Sequence, residues 1–179
     1  KTILKNQLQK DVDHLFESAG PGCTFVLTKR LALSLQEFLK GGQFNQLDNY
    51  HDWLIYAYAR SNDFKWYIDS YPGVEYRQHN ANAFGANVGI KAFVSRISRV
   101  LDGEGFNFAF RLLVVLNVRD PFIQSLLPVS RINLLRLAFQ FKHCRRRWRD
   151  QIYFFCACIL LAIIFPKKLR TIFDSRVDY

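Results

Sequence analysis

Two short polar clusters hold the residue types best suited to chemistry. Tyr50-His51-Asp52-Trp53 opens a segment with helical apolar spacing, and Tyr76-Arg77-Gln78-His79-Asn80 closes a strand-like one. Asp52 and His79 stand 27 positions apart, a separation that a helix and a hairpin can fold into contact. An acid and a histidine so placed read as two parts of one catalytic site, whose remaining parts lie upstream of this chain.

The elements that must position them follow from pattern and breakers. Ile3, Leu4, Leu8, Val12, Leu15 and Phe16 recur at mostly helical spacing over residues 1–16. Gly20-Pro21-Gly22 breaks the chain, and Cys23-Thr24-Phe25-Val26-Leu27 reads as a short buried strand. Thr28 can cap a helix bearing Leu31, Leu35, Phe38 and Leu39 on one face, which Gly41-Gly42 ends. A second helix runs from Asn49 or Tyr50 to about Arg60, with Trp53, Tyr56, Ala57 and Arg60 along one stripe. Residues 64–69 and 74–76 read as two strands joined by the turn Ser70-Tyr71-Pro72-Gly73. From Ile90 onward the pattern is helical throughout, and Ser130 is placed to cap a helix over residues 131–141.

The chain of 179 residues is half hydrophobic and 16% aromatic, enough for a buried core and too much for disorder. It begins at Lys1 and contains no Met, which reads as a piece of a longer protein. Residues 1–90 hold nine basic and nine acidic residues, whereas residues 91–179 hold sixteen basic and six acidic. The whole excess of +10 therefore sits in the second half, which points to two different tasks. Cys23, Cys144, Cys156 and Cys158 fit no zinc or disulfide spacing, so reduced thiols in a cytosolic compartment are the expectation.

Taken in order, Gly20-Pro21-Gly22-Cys23-Thr24-Phe25, then His51-Asp52-Trp53, then Tyr76-Arg77-Gln78-His79 with Asn82 and Gly85 resemble the C-terminal half of family 2 glycosyltransferases. They look most like the rhamnosyltransferase-type members that build bacterial surface polysaccharides. The resemblance covers about residues 15–90 and implies an α/β fold. Residues 1–89 would be the acceptor-side part of a Rossmann-like GT-A domain lacking its nucleotide-binding half, and residues 90–179 an all-helical basic and apolar tail. Asp11-Val12-Asp13 has the letters of the family's metal motif but lies in a helical pattern ahead of the glycine turn, so neither acid is taken as a ligand.

The resemblance assigns roles residue by residue. It implies inverting transfer of a sugar from a dTDP- or UDP-sugar donor to a glycan or lipid-linked acceptor. Asp52 matches the family's base, which takes the proton of the acceptor hydroxyl; the bland alternative is a first-turn acid favoured by the helix dipole. His79 matches the family's late histidine, which completes the shell of a divalent metal (Mn²⁺ or Mg²⁺) or touches the diphosphate; a loop histidine bonded to backbone is its alternative. Arg77, with Gln78 beside it, either pairs with phosphate or serves as a structural partner of Asp52 or Asp69. Gly20, Gly22, Cys23 and Thr24 form the loop that the family sets beside donor and acceptor, or else an ordinary tight turn. Trp53 is an acceptor platform or a core aromatic, and His51 orients Asp52 or lines the acceptor side.

The uncharged run from Ile152 to Phe165 spans 14 residues. A membrane crossing needs about 20. With Arg145-Arg146-Arg147-Trp148-Arg149 before it and Pro166-Lys167-Lys168-Leu169-Arg170 after it, the run reads as an interfacial or re-entrant helix, against a buried bundle helix. The expected location is cytoplasmic, peripheral to the inner face of the plasma membrane. The rival class is a non-catalytic basic helical module for a membrane surface or nucleic acid. Nucleic acid is disfavoured, because it leaves the apolar run beside the arginines unexplained.

Overall fold

The computed structural model describes residues 5–41, 50–71, 73–74, 98 and 100–170. Helix α1 (Lys29–Lys40) starts where the sequence puts it, with Thr28 Oγ1 accepting from the Leu31 amide at 3.3 Å. It buries Leu31 and Leu35, while Leu39, expected on the same face, is exposed. Helix α2 (His51–Ser61) is more enclosed than α1, burying Leu54, Tyr56, Ala57, Tyr58 and Ala59. Asn62 caps its end, and Asp63 follows in the left-handed region at φ 59°.

The second half is a set of packed helices. They are α3 (Glu104–Val115), α4 (Pro121–Ser125), α5 (Arg131–Phe139), α6 (Phe141–Cys144), α7 (Trp148–Ile164) and α8 (Lys167–Arg170). Gly103 leads into α3 at φ 69°, and a Cβ there would lie 3.1 Å from both Leu169 and Pro166. Both the backbone and the packing of α8 therefore require glycine. Ser130 Oγ caps α5 by accepting from the Asn133 amide at 3.1 Å. Helices α5 and α7 run antiparallel: the Arg131 guanidinium at the start of α5 donates to the Ala162 and Ile163 carbonyls at the end of α7, at 3.0 and 2.7 Å. Those carbonyls have no partner within the helix, and a cation there suits the dipole.

Two expectations need correction. Residues 5–16 form no long helix. Only a 3₁₀ turn, Asp13–Leu15, interrupts an irregular path. Long-range bonds override the local periodicity: Arg60 donates to the Lys10 carbonyl at 3.1 Å, Gln9 to the Trp66 carbonyl at 2.7 Å, and the Val12 amide to the His143 carbonyl at 3.3 Å. Nor is there a strand among the described residues. Gly22–Thr24 is a 3₁₀ turn, and residues 25–28 and 64–69 carry no β-ladder. These two stretches meet through side chains instead, with Phe25 edge-on to Trp66 at 4.9 Å. The α/β sheet expected from the resemblance is thus not seen in the described part, which is helical. The expected strand end at 75–76 and the expected boundary at 89–90 lie outside the described residues.

One core joins both halves. Val12, Leu15 and Phe16 pack with Phe106, Phe110 and Leu113 of α3, Leu134 and Leu137 of α5, and Phe154, Cys158 and Leu161 of α7. Beside it lies a charged cluster whose centre is buried. Asp13 and Arg146 have fully buried side chains, with Arg146 Nε 3.4 Å from one Asp13 oxygen and Arg60 3.3 Å from the other. Tyr56 donates its hydroxyl to Asp13 at 3.2 Å. Arg146 also reaches Glu17 at 3.3 Å and donates to the Ser18 carbonyl at 2.7 Å, while its amide donates to Glu17 at 2.7 Å. Burial pushes the Asp13 carboxyl above its ordinary range, against the pull of Arg146 and Arg60.

Removing one partner of a buried pair strands the other. Arg146→Met is expected to lower unfolding stability in urea by about 3–5 kcal/mol. The exposed neighbour change Arg147→Met is expected to stay within about 0.5 kcal/mol. Equal melting of the two variants would show that the buried cluster is not what ties the halves together.

Candidate active site

Two of the sequence clusters meet in space. The 3₁₀ turn Gly22–Thr24 lies against the first turn of α2. A Cβ built on Gly22 would fall 3.2 Å from Asp52 Cβ and 3.3 Å from His51 Nε2. Contacts this short are tighter than most Cβ contacts, so a side chain at 22 would make Asp52 or His51 shift by a few tenths of an ångström, and glycine lets the turn lie against the helix without that shift. Gly20 is different: the nearest atom to a Cβ there is Thr24 Oγ1 at 4.0 Å. The turn is closed locally, with Thr24 Oγ1 donating to the Pro21 carbonyl at 2.8 Å and the Phe25 amide to the Gly22 carbonyl at 3.0 Å. Cys23 and Thr24 are exposed on it.

His51 is exposed and Asp52 half-buried, so both are open to a ligand at the helix start. One Asp52 oxygen, Oδ1, accepts from the Trp53 amide at 2.8 Å. That bond fixes the carboxylate at the mouth of the helix. A carboxylate held there, beside an exposed imidazole and a bare stretch of backbone, can accept a proton from a hydroxyl bound over the turn.

Trp53 faces inward. Its indole donates to the His14 carbonyl at 2.9 Å, and its ring packs against Phe108 at 4.8 Å and Tyr50 at 6.1 Å. Of its two readings, these contacts give the core one a concrete form, and they anchor the first turn of α2 to residue 14. Arg77, Gln78 and His79 lie outside the described residues. Among the described residues no group of three or more His, Cys, Asp or Glu side chains is placed to hold a metal ion. Asp11 and Asp13 are engaged elsewhere: Asp11 bonds His143 at 2.7 Å, and Asp13 sits between its arginines.

The groups that sequence reasoning missed lie behind the site. His14, next to Asp13, is buried, and its Nδ1 has no hydrogen-bond partner among the described residues. Burial, with Arg60 nearby, pushes its pKa down to about 3, so it is neutral in the folded chain. Tyr56 lies edge-on to it at 6.4 Å and is itself raised, chiefly by burial. The i, i+4 pairs Asp13/Glu17 and Tyr56/Arg60 were the available signal, since each puts two polar groups on one stripe.

The chain is similar to the dTDP-rhamnosyl transferase RfbG of Shigella flexneri, with 34% identity over 157 residues, 87% of this chain and 54% of that protein. It thus spans about half the length of the curated relative it matches. No family model matches the chain, and no solved structure matches it.

Overpacking a tight contact costs about 1–3 kcal/mol. Gly22→Val is expected to destabilise by that much in urea unfolding, while Gly20→Ala has room and is expected to stay within about 0.5 kcal/mol. Equal effects would mean that the turn does not press on α2. A second expectation concerns acid. Because the folded His14 titrates near 3 and its unfolded form near 6.5, the unfolded chain binds a proton first as pH falls. Its contribution is complete above pH 6.5 and is lost progressively between there and 3. His14→Gln is expected to flatten the stability profile across that window, and parallel profiles would contradict it.

Proposed function

We propose that this chain is the acceptor-side part of an inverting glycosyltransferase. It would move a sugar, rhamnose being the first candidate, from a nucleotide-diphosphate donor of the dTDP or UDP class to a glycan or lipid-linked acceptor in surface polysaccharide synthesis. The observation that carries the reading is the contact of Gly22 with His51 and Asp52. It joins two motifs that lie apart in the sequence, in a chain that shares 34% identity with a dTDP-rhamnosyl transferase.

In this reading Asp52 is the base. Its carboxylate takes the acceptor hydroxyl proton as that oxygen attacks the anomeric carbon and the nucleoside diphosphate departs. His51 lines the acceptor side, and the Gly20–Thr24 turn supplies backbone where acceptor and donor meet. Arg77 and Gln78 would contact the diphosphate. A divalent cation, Mn²⁺ or Mg²⁺, would neutralise the leaving charge, with His79 among its ligands and the acidic ligands supplied from outside this chain. Residues 1–89 form the acceptor side of a GT-A fold and residues 90–179 the tail. The neighbouring stretches around Phe25 and Trp66 are candidates for strands once the rest of the sheet is present. The enzyme would work at the cytoplasmic face of the plasma membrane.

The test joins this chain to the remainder of its Shigella relative and follows dTDP release from dTDP-rhamnose with a lipid-linked glycan acceptor. Asp52→Asn is expected to lower kcat by about 10²–10⁴-fold with donor KM unchanged. Calorimetry of this chain alone with dTDP- or UDP-sugars and Mn²⁺ is expected to show no binding. Undiminished turnover by Asp52→Asn would remove Asp52 as the base, and metal-dependent donor binding by the chain alone would show that it holds the donor site itself.

A further inference from the structure

The second half of the chain presents an apolar surface made by two helices. On α5, Ile132 is 64% and Phe139 72% exposed, with Leu135 between them. On α7, Tyr153 is 67% and Ile163 66% exposed, with Ile152 and Ile164 also open. These residues follow helical spacing, opposite the buried stripe of Phe154, Cys158, Leu161 and Ala162. Helices α5 and α7 are antiparallel neighbours, and each carries its own exposed apolar stripe. Phe139 packs edge-on against Phe155 at 6.1 Å near one end, and Arg131 reaches the Ile163 carbonyl at the other.

The charge around this surface is of one sign. Residues 131–170 hold ten Lys or Arg and one acid, Asp150. Arg146 is buried in its ion pairs, whereas Arg131, Arg136, Lys142, Arg147, Arg149 and Lys167 are exposed along the pair and at both ends of it. A second copy of the chain on this face would bring like charges together. Helix α7 has 17 residues, and no helix among the described residues is long and apolar enough to cross a membrane. A short helix lying side by side with another, apolar on its open face and ringed by cations, has the form of an element that lies in a headgroup layer. Trp148, 63% exposed at the start of α7, and Tyr153, five residues on, are the aromatic types that settle at that depth.

We propose that the paired faces of α5 and α7 dock in plane on an anionic lipid bilayer, with Phe139, Tyr153 and Ile163 entering the headgroup boundary and Arg147 and Arg149 meeting lipid phosphates. The inference does not rest on the sugar-transfer reading, and either can fail alone.

The experiment is flotation of the whole 179-residue chain with two sets of vesicles, pure phosphatidylcholine and phosphatidylcholine mixed with phosphatidylglycerol, at low and high salt. Binding is expected with the anionic vesicles and is expected to weaken with salt. Arg147→Gln with Arg149→Gln is expected to weaken it by about fivefold per arginine, about 25-fold for the pair. The triple change Phe139→Ser, Tyr153→Ser, Ile163→Ser alters only exposed side chains and is expected to abolish binding with an unchanged circular dichroism spectrum. Leu33→Ser, on the exposed side of α1, is expected to bind like the parent. The proposal is overturned if the parent chain fails to float, or if the triple variant floats like it. It is equally overturned if sedimentation shows a parent dimer that the triple change disperses, or if the arginine pair governs single-stranded RNA binding while vesicles are ignored.

Discussion

Burying one carboxylate between two guanidinium groups sets how this chain is put together. An isolated charge cannot be left in a dry interior, so Asp13 can be buried only when its partners arrive with it. Those partners are far away in sequence: Tyr56 and Arg60 on α2, and Arg146 before α7. The interaction is therefore a poor source of net stability and a strong constraint on arrangement. A slip of α2 along its axis, or of α7 against the first half, would leave charge unpaired.

That constraint reaches the site through α2. Arg60 lies nine residues beyond His51, about 13 Å along the helix axis. One end of α2 is held by the ion cluster and the other by Trp53, whose indole bonds the carbonyl of His14, the residue beside Asp13. The His51-Asp52 pair is thus presented on a helix fixed at both ends, and the glycine turn closes on it. The buried charges and the half-buried candidate base belong to one mechanical unit, although they differ in solvent access.

Signals that act over a few residues were legible in the sequence. Thr28 and Ser130 cap α1 and α5 as their chemistry suggests, and α2 ends at Ser61, one residue beyond the expected end. What was not legible depends on partners far along the chain. Residues 5–16 carry apolar spacing that suits a helix, yet they are drawn out over α2 by bonds to Arg60, Trp66 and His143. Residues 23–27 and 64–69 have strand composition, but a ladder needs a neighbouring backbone, and the two stretches meet through side chains instead. Arg146 could not be told from Arg145, Arg147 and Arg149 by type, and only burial separates it.

The uncharged run at 152–165 shows why composition alone was ambiguous. An interfacial helix and a buried one require the same residues; they differ in how many faces are covered. In α7 the answer falls between adjacent cysteines: Cys158 is buried, with its thiol pushed far up by burial, and Cys156 is exposed. The helix gives one face to the core it shares with Leu15 and Phe16 and keeps the other. The basic residues divide in the same way. Arg146 and Arg131 are engaged by internal carboxylates and carbonyls, Arg145 lies half-buried over the Phe154 ring, and Arg136, Lys142, Arg147, Arg149 and Lys167 are exposed. The positive charge of the second half therefore has two physical roles, one that fixes the helices to the site-bearing segment and one that is left for the surface.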